Sequence, residues 1–265
     1  MDVLQRNNVT VSGDGPATML FAHGYGCDQT MWNLIRPHFA KTHRVVAFDY
    51  VGCGQSDLGA YDPRRYATLD GYAQDVVEIC DALDISDATY VGHSVSSMIG
   101  LLAAKARPER IHDLVMLCPS PRYINEADFT WGFDREAIDG LLDMIESGHA
   151  GWTSFLAGLV VNNAARSDLT AEFDETFCAL DPDVARRFAE TTFCSDNRAD
   201  LNGFDAPCLI VQCRDDIVAS PAVGEYVHQH LTNSTLTVLE VAGHCPHLSH
   251  PAETIAAIDR FLAAA

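Results

Sequence analysis

Thr89-Tyr90-Val91-Gly92-His93-Ser94-Val95-Ser96-Ser97-Met98-Ile99-Gly100 is the stretch on which the fold turns. Three β-branched or aromatic residues lead into Gly92, and small and apolar residues at helical spacing follow Ser94. That order describes a strand, a sharp turn and a helix. The turn matches the nucleophile elbow G-x-S-x-G except at its last position, where Ser96 replaces glycine. An elbow holds its serine in a strained backbone at the carboxyl edge of a sheet. Helix and strand pass so close there that only small neighbours fit. Gly92 meets that demand, and Ser96 is the next smallest choice. The bland alternative is a serine in any tight strand-to-helix turn.

Outward from the elbow, short apolar runs recur: Met19-Leu20-Phe21-Ala22, Val45-Val46-Ala47-Phe48, Leu114-Val115-Met116-Leu117, Leu209-Ile210-Val211 and Leu236-Thr237-Val238-Leu239. Runs apolar on both faces are what central parallel strands need. Helical patterns separate them. One begins at Thr68 and carries Tyr72, Val76, Ile79, Cys80 and Leu83 on one face; others run from Val95 to Ala106 and from Ala252 to Ala264. The alternation predicts an α/β fold with a mainly parallel sheet and helices on both faces. At the N-terminus, Asn8-Val9-Thr10-Val11 and the turn cluster Ser12-Gly13-Asp14-Gly15-Pro16 predict a hairpin.

Between about Ser120 and Asn202 the alternation stops. Helices are predicted at Asp134–Ile145, Gly151–Val161, Leu169–Phe177 and Pro182–Phe193, with Asp134 and Asp181-Pro182 as start signals. A helical insertion between two strands of one sheet reads as a lid, so residues 1–119 and 203–265 are expected to form the core and residues 120–202 the lid. The lid aromatics Trp131, Trp152, Phe155, Phe188 and Phe193 are candidates for a substrate pocket, although aromatics also bury themselves for packing alone.

A serine hydroxyl is inert at neutral pH without a base. Val241-Ala242-Gly243-His244-Cys245-Pro246-His247 follows the last strand, and glycine before His244 lets the loop present its ring. The acid should follow the preceding strand, where Gln212-Cys213-Arg214-Asp215-Asp216 offers two adjacent aspartates. The chain order Ser, Asp, His is the one an α/β-hydrolase uses. Neighbours on an extended segment point opposite ways, so only one aspartate should reach His244. An oxyanion hole needs two backbone N–H donors. One is expected from Val95, directly after the serine; the other from Tyr25 in the loop Phe21-Ala22-His23-Gly24-Tyr25-Gly26, with the Tyr25 ring lining the pocket entrance. His247 and His250 could suggest a metal, but Pro246 and Pro251 break any helix that would gather them and no carboxylate completes a set, so no metal and no cofactor are expected. His247 is expected at the surface or behind the reacting residues.

At these residues the chain resembles a known family. Phe48-Asp49-Tyr50-Val51-Gly52-Cys53-Gly54-Gln55-Ser56-Asp57, Thr68-Leu69-Asp70-Gly71-Tyr72-Ala73-Gln74-Asp75 and Gly92-His93-Ser94-Val95 are similar to segments of the RsbQ-type bacterial α/β-hydrolases. So are Ser195-Asp196-Asn197-Arg198, Val223-Gly224-Glu225-Tyr226 and Gly243-His244-Cys245-Pro246-His247-Leu248-Ser249-His250. The plant strigolactone and karrikin receptors are similar over the same motifs and share the serine at Ser96, where the RsbQ type usually has glycine. The resemblance implies Ser94, Asp216 and His244 as the catalytic triad, with Tyr25 and Val95 as oxyanion donors. It selects Asp216 because the family's aspartate lies four residues after the glutamine matching Gln212. It further implies a V-shaped four-helix lid over a hydrophobic pocket, and a small hydrophobic ligand coupled to a signalling partner, which for the RsbQ type is a sensor phosphatase.

The expected function is hydrolysis of small hydrophobic esters or lactones, coupled to signalling. The alternative is a ligand-binding signalling component or receptor with slow, secondary hydrolysis. A carbon–carbon bond hydrolase shares the triad but is less similar, and haloalkane dehalogenation would need a carboxylate where Ser94 stands. The net charge of −20 repels nucleic-acid phosphates and anionic lipid, so neither is an expected partner. Nine cysteines, an odd number without a C-x-x-C pair, are expected as reduced thiols in a cytoplasmic protein. Met1 to Arg6 has neither a basic nor an apolar leader region, so no secretory leader is expected.

Overall fold

The computed structural model describes residues 2–147, 157–158, 160–163 and 166–264. Its seven strands are β1 (Thr10–Ser12), β2 (Ala17–Ala22), β3 (His43–Phe48), β4 (Ala88–His93), β5 (Ile111–Leu117), β6 (Cys208–Asp215) and β7 (Ser234–Ala242). They lie in the order β1-β3-β2-β4-β5-β6-β7, all parallel except β1. The predicted α/β-hydrolase architecture is therefore present.

Side chains alternate across the sheet and sort into two cores. Leu20, Val46, Phe48, Tyr90, Leu114, Met116 and Ile210 face one layer. Met19, Phe21, Val45, Ala47, Val91, Val115, Leu117, Leu209 and Val211 face the other. A period of two with apolar residues on both faces is what a strand covered on both sides requires. Helices α1 (Leu69–Ala82) and α2 (Val95–Ala106) cover the first layer. The segment containing Trp32, Ile35 and Phe39 covers the second, together with Ala257 and Ile258 of the C-terminal helix Pro251–Leu262.

The predicted N-terminal hairpin is corrected by the structure. β1 pairs antiparallel with β3, Val11 opposite Val46, and β3 separates it from β2. Both edges of β2 are taken, by β3 and by β4. The turn cluster Ser12–Pro16 therefore carries the chain past β3 instead of folding β1 onto β2.

From β2 the chain steps to β3 on one side, then crosses back to β4 on the other. The loops leaving the carboxyl ends of β2 and β4 thus diverge, opening the crevice where open α/β sheets bind ligands. Ser94 is the first residue after β4.

Between β5 and β6 the described residues form helices α3 (Arg135–Ser147), α4 (Ser167–Cys178) and α5 (Pro182–Phe193), then one short turn of helix at Arg198–Leu201. They correspond to three of the four predicted helices. The fourth, Gly151–Val161, falls mostly outside the described residues, of which 157–158 and 160–161 are helical. Asp181 caps α5 as its sequence suggests, its carboxylate accepting from the Asp183 and Val184 amides at 3.0 and 3.2 Å. Val184, Ala185, Phe188, Ala189 and Thr192 form the buried face of α5. Phe188 stacks on Tyr72 of α1 with ring centroids 4.4 Å apart, fixing the insertion to the core. Among the described residues no helix is long and apolar enough to cross a membrane.

Candidate active site

Ser94 sits at φ 56°, ψ −123°, a left-handed backbone that a non-glycine residue adopts at a cost of about 1–3 kcal/mol. The surroundings hold it there. Its amide donates to the Leu117 carbonyl at the end of β5, 2.8 Å away, and its carbonyl accepts from the Ser97 amide at 2.9 Å. The strain turns the hydroxyl out of the strand and toward the crevice, as an elbow should.

Gly243 leads into the histidine loop at φ +98°. A side chain there would meet the Val161 carbonyl at 2.6 Å, so only glycine lets the insertion lie against this loop. The His244 amide donates to the Val160 carbonyl at 2.6 Å, anchoring the loop from above. His244 Nε2 lies 2.8 Å from Ser94 Oγ, and His244 Nδ1 lies 2.7 Å from Asp216 Oδ2. Of the two adjacent aspartates, Asp216 is buried and faces His244, whereas Asp215 is exposed. The other oxygen of Asp216 accepts from the amides of Val218 and Ala219 at 2.8 and 3.1 Å. Gln212, four residues earlier, donates its amide to the Ala219 carbonyl and so pins the same loop.

This chain of contacts has a definite proton order. Asp216 Oδ1 is fixed by two amides, so Oδ2 holds the proton of His244 on Nδ1 and leaves Nε2 as the acceptor facing Ser94. Behind His244 stands His93, ring centroids 4.9 Å apart, which donates from Nε2 to the His244 carbonyl at 2.8 Å. Burial, with His247 and His244 close by, holds the His93 pKa well below that of a free imidazole. His247 is buried too, packed at a tilt between Trp32 and His93 with ring centroids 4.5 and 4.7 Å away, and burial pushes its pKa down to about 3. Of the two positions expected for His247, it occupies the one behind the reacting residues.

Across the crevice, the loop after β2 presents Tyr25. Gly24 allows it to come close, since a Cβ there would lie 2.5 Å from His93 Nδ1. Neither the Tyr25 amide nor the Val95 amide has a hydrogen-bond acceptor among the described residues. Two such donors flanking a serine are what a developing oxyanion needs. The Tyr25 ring lies edge-on to Phe177, Phe188 and Phe193, and its hydroxyl donates to the Ala185 carbonyl of α5 at 3.0 Å.

A cavity of about 280 Å³ opens beside Tyr25, lined otherwise by Phe133, Ala137, Ile138, Leu141, Phe193, Ile217 and Val218. Of the predicted pocket aromatics, Tyr25 and Phe193 line it. Phe188 lies one layer deeper, 1% exposed among Tyr25, Tyr50 and Tyr72. Trp152 and Phe155 fall outside the described residues. Trp131 is corrected: it is 43% exposed and packs on Phe129 and Tyr226, away from the cavity. The segment before α3 folds back there, with the Phe133 amide bonded to the Tyr123 carbonyl, and presents Phe133 to the cavity in its place.

Sequence reading missed Tyr123, whose hydroxyl lies 3.4 Å from Ser94 Oγ. Burial raises its pKa to about 12, so it stays a neutral phenol. Nothing in the irregular run Ser120–Asn125 signals it. Ile217 and Val218 had a signal, since they directly follow the acid at the carboxyl end of β6.

Among the described residues, two buried trios bring metal-ligand atoms within 4.8 Å of one another: His93, Cys245 and His247, and Cys118, Asp216 and His244. In the second, Asp216 and His244 are committed to each other; in the first, His93 Nε2 is committed to the His244 carbonyl.

Fold and site together define an α/β hydrolase. The chain matches the alpha/beta hydrolase family model over residues 19–258 and belongs to that family. Within it, the chain is 38% identical to the karrikin insensitive 2 receptor CA of Petunia hybrida, over 94% of this chain and 93% of that one. It is 36% identical to the strigolactone esterase D14 of Arabidopsis thaliana, over 95% and 94%. Among solved structures, a hydrolase from Oleispira antarctica is 41% identical, with a TM-score of 0.94 over 99% of this chain and 96% of that one. The likeness to the plant receptors expected from the motifs is thus present nearly end to end.

Proposed function

We propose that this protein hydrolyses small hydrophobic esters or lactones with Ser94 as nucleophile, His244 as base and Asp216 as the group that orients it. The observation that carries this is the buried Asp216–His244–Ser94 hydrogen-bond chain, together with an apolar cavity whose wall includes Tyr25 and Val218, the latter donating its amide to Asp216. Ser94 Oγ attacks the carbonyl carbon while its proton passes to His244 Nε2. The oxyanion is received by the Val95 and Tyr25 amides. His244 then returns the proton to the leaving alkoxide, or to the ring-opened oxygen of a lactone, and Ser94 is left acylated. Water, deprotonated by His244, attacks the acyl group and frees the serine.

In this reading residues 120–202 are a lid on the core formed by 1–119 and 203–265. The lid excludes water and strengthens the oxyanion contacts. It touches both catalytic loops, through the Val160 carbonyl on the His244 amide and the Ala185 carbonyl on the Tyr25 hydroxyl. That double contact favours a second role, in which ligand occupancy is passed to a signalling protein such as a sensor phosphatase. Relatives named as a receptor and as an esterase support carrying both roles to this chain.

Intact-protein mass spectrometry after exposure to a panel of small esters and butenolides tests the proposal. An acyl adduct on Ser94 is expected, and Ser94→Ala should remove both the adduct and hydrolysis of p-nitrophenyl acetate. A Ser94→Ala protein that keeps more than about a tenth of wild-type turnover removes Ser94 from the mechanism. Turnover slower than minutes, with a stable adduct, would favour the signalling role over metabolic hydrolysis.

A further inference from the structure

Ser96 stands where the elbow pattern has glycine, and its side chain is fully buried. A serine in the first turn of a helix ordinarily bonds its own backbone. Here the hydroxyl instead reaches across the crevice and donates to the His23 carbonyl, while accepting from the Tyr50 hydroxyl at 2.8 Å. His23 is the first residue after β2, and Ser96 is the second residue of α2.

The paired register of β2 with β4 ends at Ala22 opposite Gly92. Beyond that pair the two strands part, and the Tyr25 and Val95 amides come from the parted ends. The Ser96–His23 bond is a direct tie between those ends, beyond the last paired residues. Tyr50 braces it from behind. Its amide donates to His23 Nε2 at 3.1 Å while its hydroxyl holds Ser96, and His23 Nδ1 donates to the Gly24 carbonyl at 2.9 Å. The Tyr90 hydroxyl donates to the Ser96 carbonyl at 3.1 Å, so both polar ends of Ser96 are engaged.

We infer that Ser96 is a positioning residue for the oxyanion hole: its hydroxyl fixes the spacing between the Tyr25 and Val95 amides. The inference rests on the hydrolytic function proposed above. A glycine at this position has no atom that can make the tie. Oxyanion donors act through placement, so a loosened spacing weakens binding of the transition state and leaves ground-state binding nearly unchanged.

The test uses the full chain with Ser96→Gly and Ser96→Ala. Turnover of p-nitrophenyl acetate is normalised to the fraction of Ser94 labelled by a fluorophosphonate, which removes any effect of misfolded protein. Phenylboronic acid, whose serine adduct carries an anionic oxygen, probes the hole directly. Both variants are expected to lose about tenfold in kcat per labelled site, with KM within about twofold of wild type and boronate affinity weakened by a similar factor. Turnover per labelled site and boronate affinity both within about twofold of wild type would overturn the inference, as would a loss confined to the labelled fraction. A wild-type chain that neither labels nor turns over would overturn the proposed function and this inference with it. An active wild type with unchanged variants overturns the role of Ser96 alone.

Discussion

Protonation of buried histidines should govern how this protein loses stability in mild acid, and His247 isolates the effect. Its ring is fully buried between Trp32 and His93, with neither nitrogen hydrogen-bonded among the described residues. Its pKa is about 3 when folded, against about 6.5 for an exposed imidazole. Between those values the unfolded chain binds a proton that the folded chain does not. Stability contributed by the neutral ring is therefore full above pH 6.5 and falls as the pH drops toward 3. Moving from pH 7 to pH 5 should cost about 2 kcal/mol from this residue alone, a large part of a typical folding free energy of about 5–15 kcal/mol. His23 and His93 are displaced in the same direction by burial and add to the slope. His247→Phe removes one titrating ring while keeping an aromatic in the stack. Urea unfolding of both proteins at pH 7 and pH 5 gives the two differences. The variant should lose roughly 2 kcal/mol less than wild type over that interval, whatever its absolute stability at pH 7. Equal losses in the two proteins would refute the claim that His247 is held neutral.

Three further outcomes are expected. Asp216→Asn should lower kcat by about 10³- to 10⁴-fold, because an amide there favours the wrong His244 tautomer, whereas Asp215→Asn at its exposed site should stay within about twofold; steady-state kinetics on the two variants decides it, and the reverse ranking would exclude Asp216 as the orienting acid. Tyr25→Phe removes the hydroxyl that donates to Ala185, a loss of about 1 kcal/mol that should lower Tm by about 2 °C and speed amide exchange in α5; unchanged exchange in α5 would show that this bond does not hold the helix. A covalent inhibitor on Ser94 should change hydrogen-exchange protection in α3 and α5 more than in β4 and β5, and no change in those helices with the inhibitor demonstrably attached would count against the lid.

The sequence by itself determined the strand and helix order and singled out Ser94 and His244 as candidates for the site. Both are local. Strands such as Met19–Ala22 and Leu114–Leu117 are continuous apolar runs because both faces are covered, and an elbow must carry its serine between a strand and a helix. Gly92, two residues before Ser94, and Gly243, directly before His244, are each required by the backbone, the first by the close Ser96 carbonyl and the second by its positive φ. The choice of Asp216 over Asp215 was legible only through the family resemblance, in which the aspartate lies four residues after the glutamine matching Gln212; in the fold, Asp216 is the neighbour that points inward and meets the amides of Val218 and Ala219. What tertiary structure alone decided depends on which separate segments meet. Thr10–Ser12 left the predicted hairpin because both edges of β2 were already paired. Trp131 turned outward and Phe133 took the cavity wall, an outcome of how an irregular segment folds back on Tyr123, which carries no periodicity to read. Tyr123 reaches Ser94, and Ser96 reaches His23 from 73 residues away, through hydrogen bonds between groups that no local pattern couples. Periodicity reports which face of an element is buried; it carries no term for what lies on the other side of the crevice.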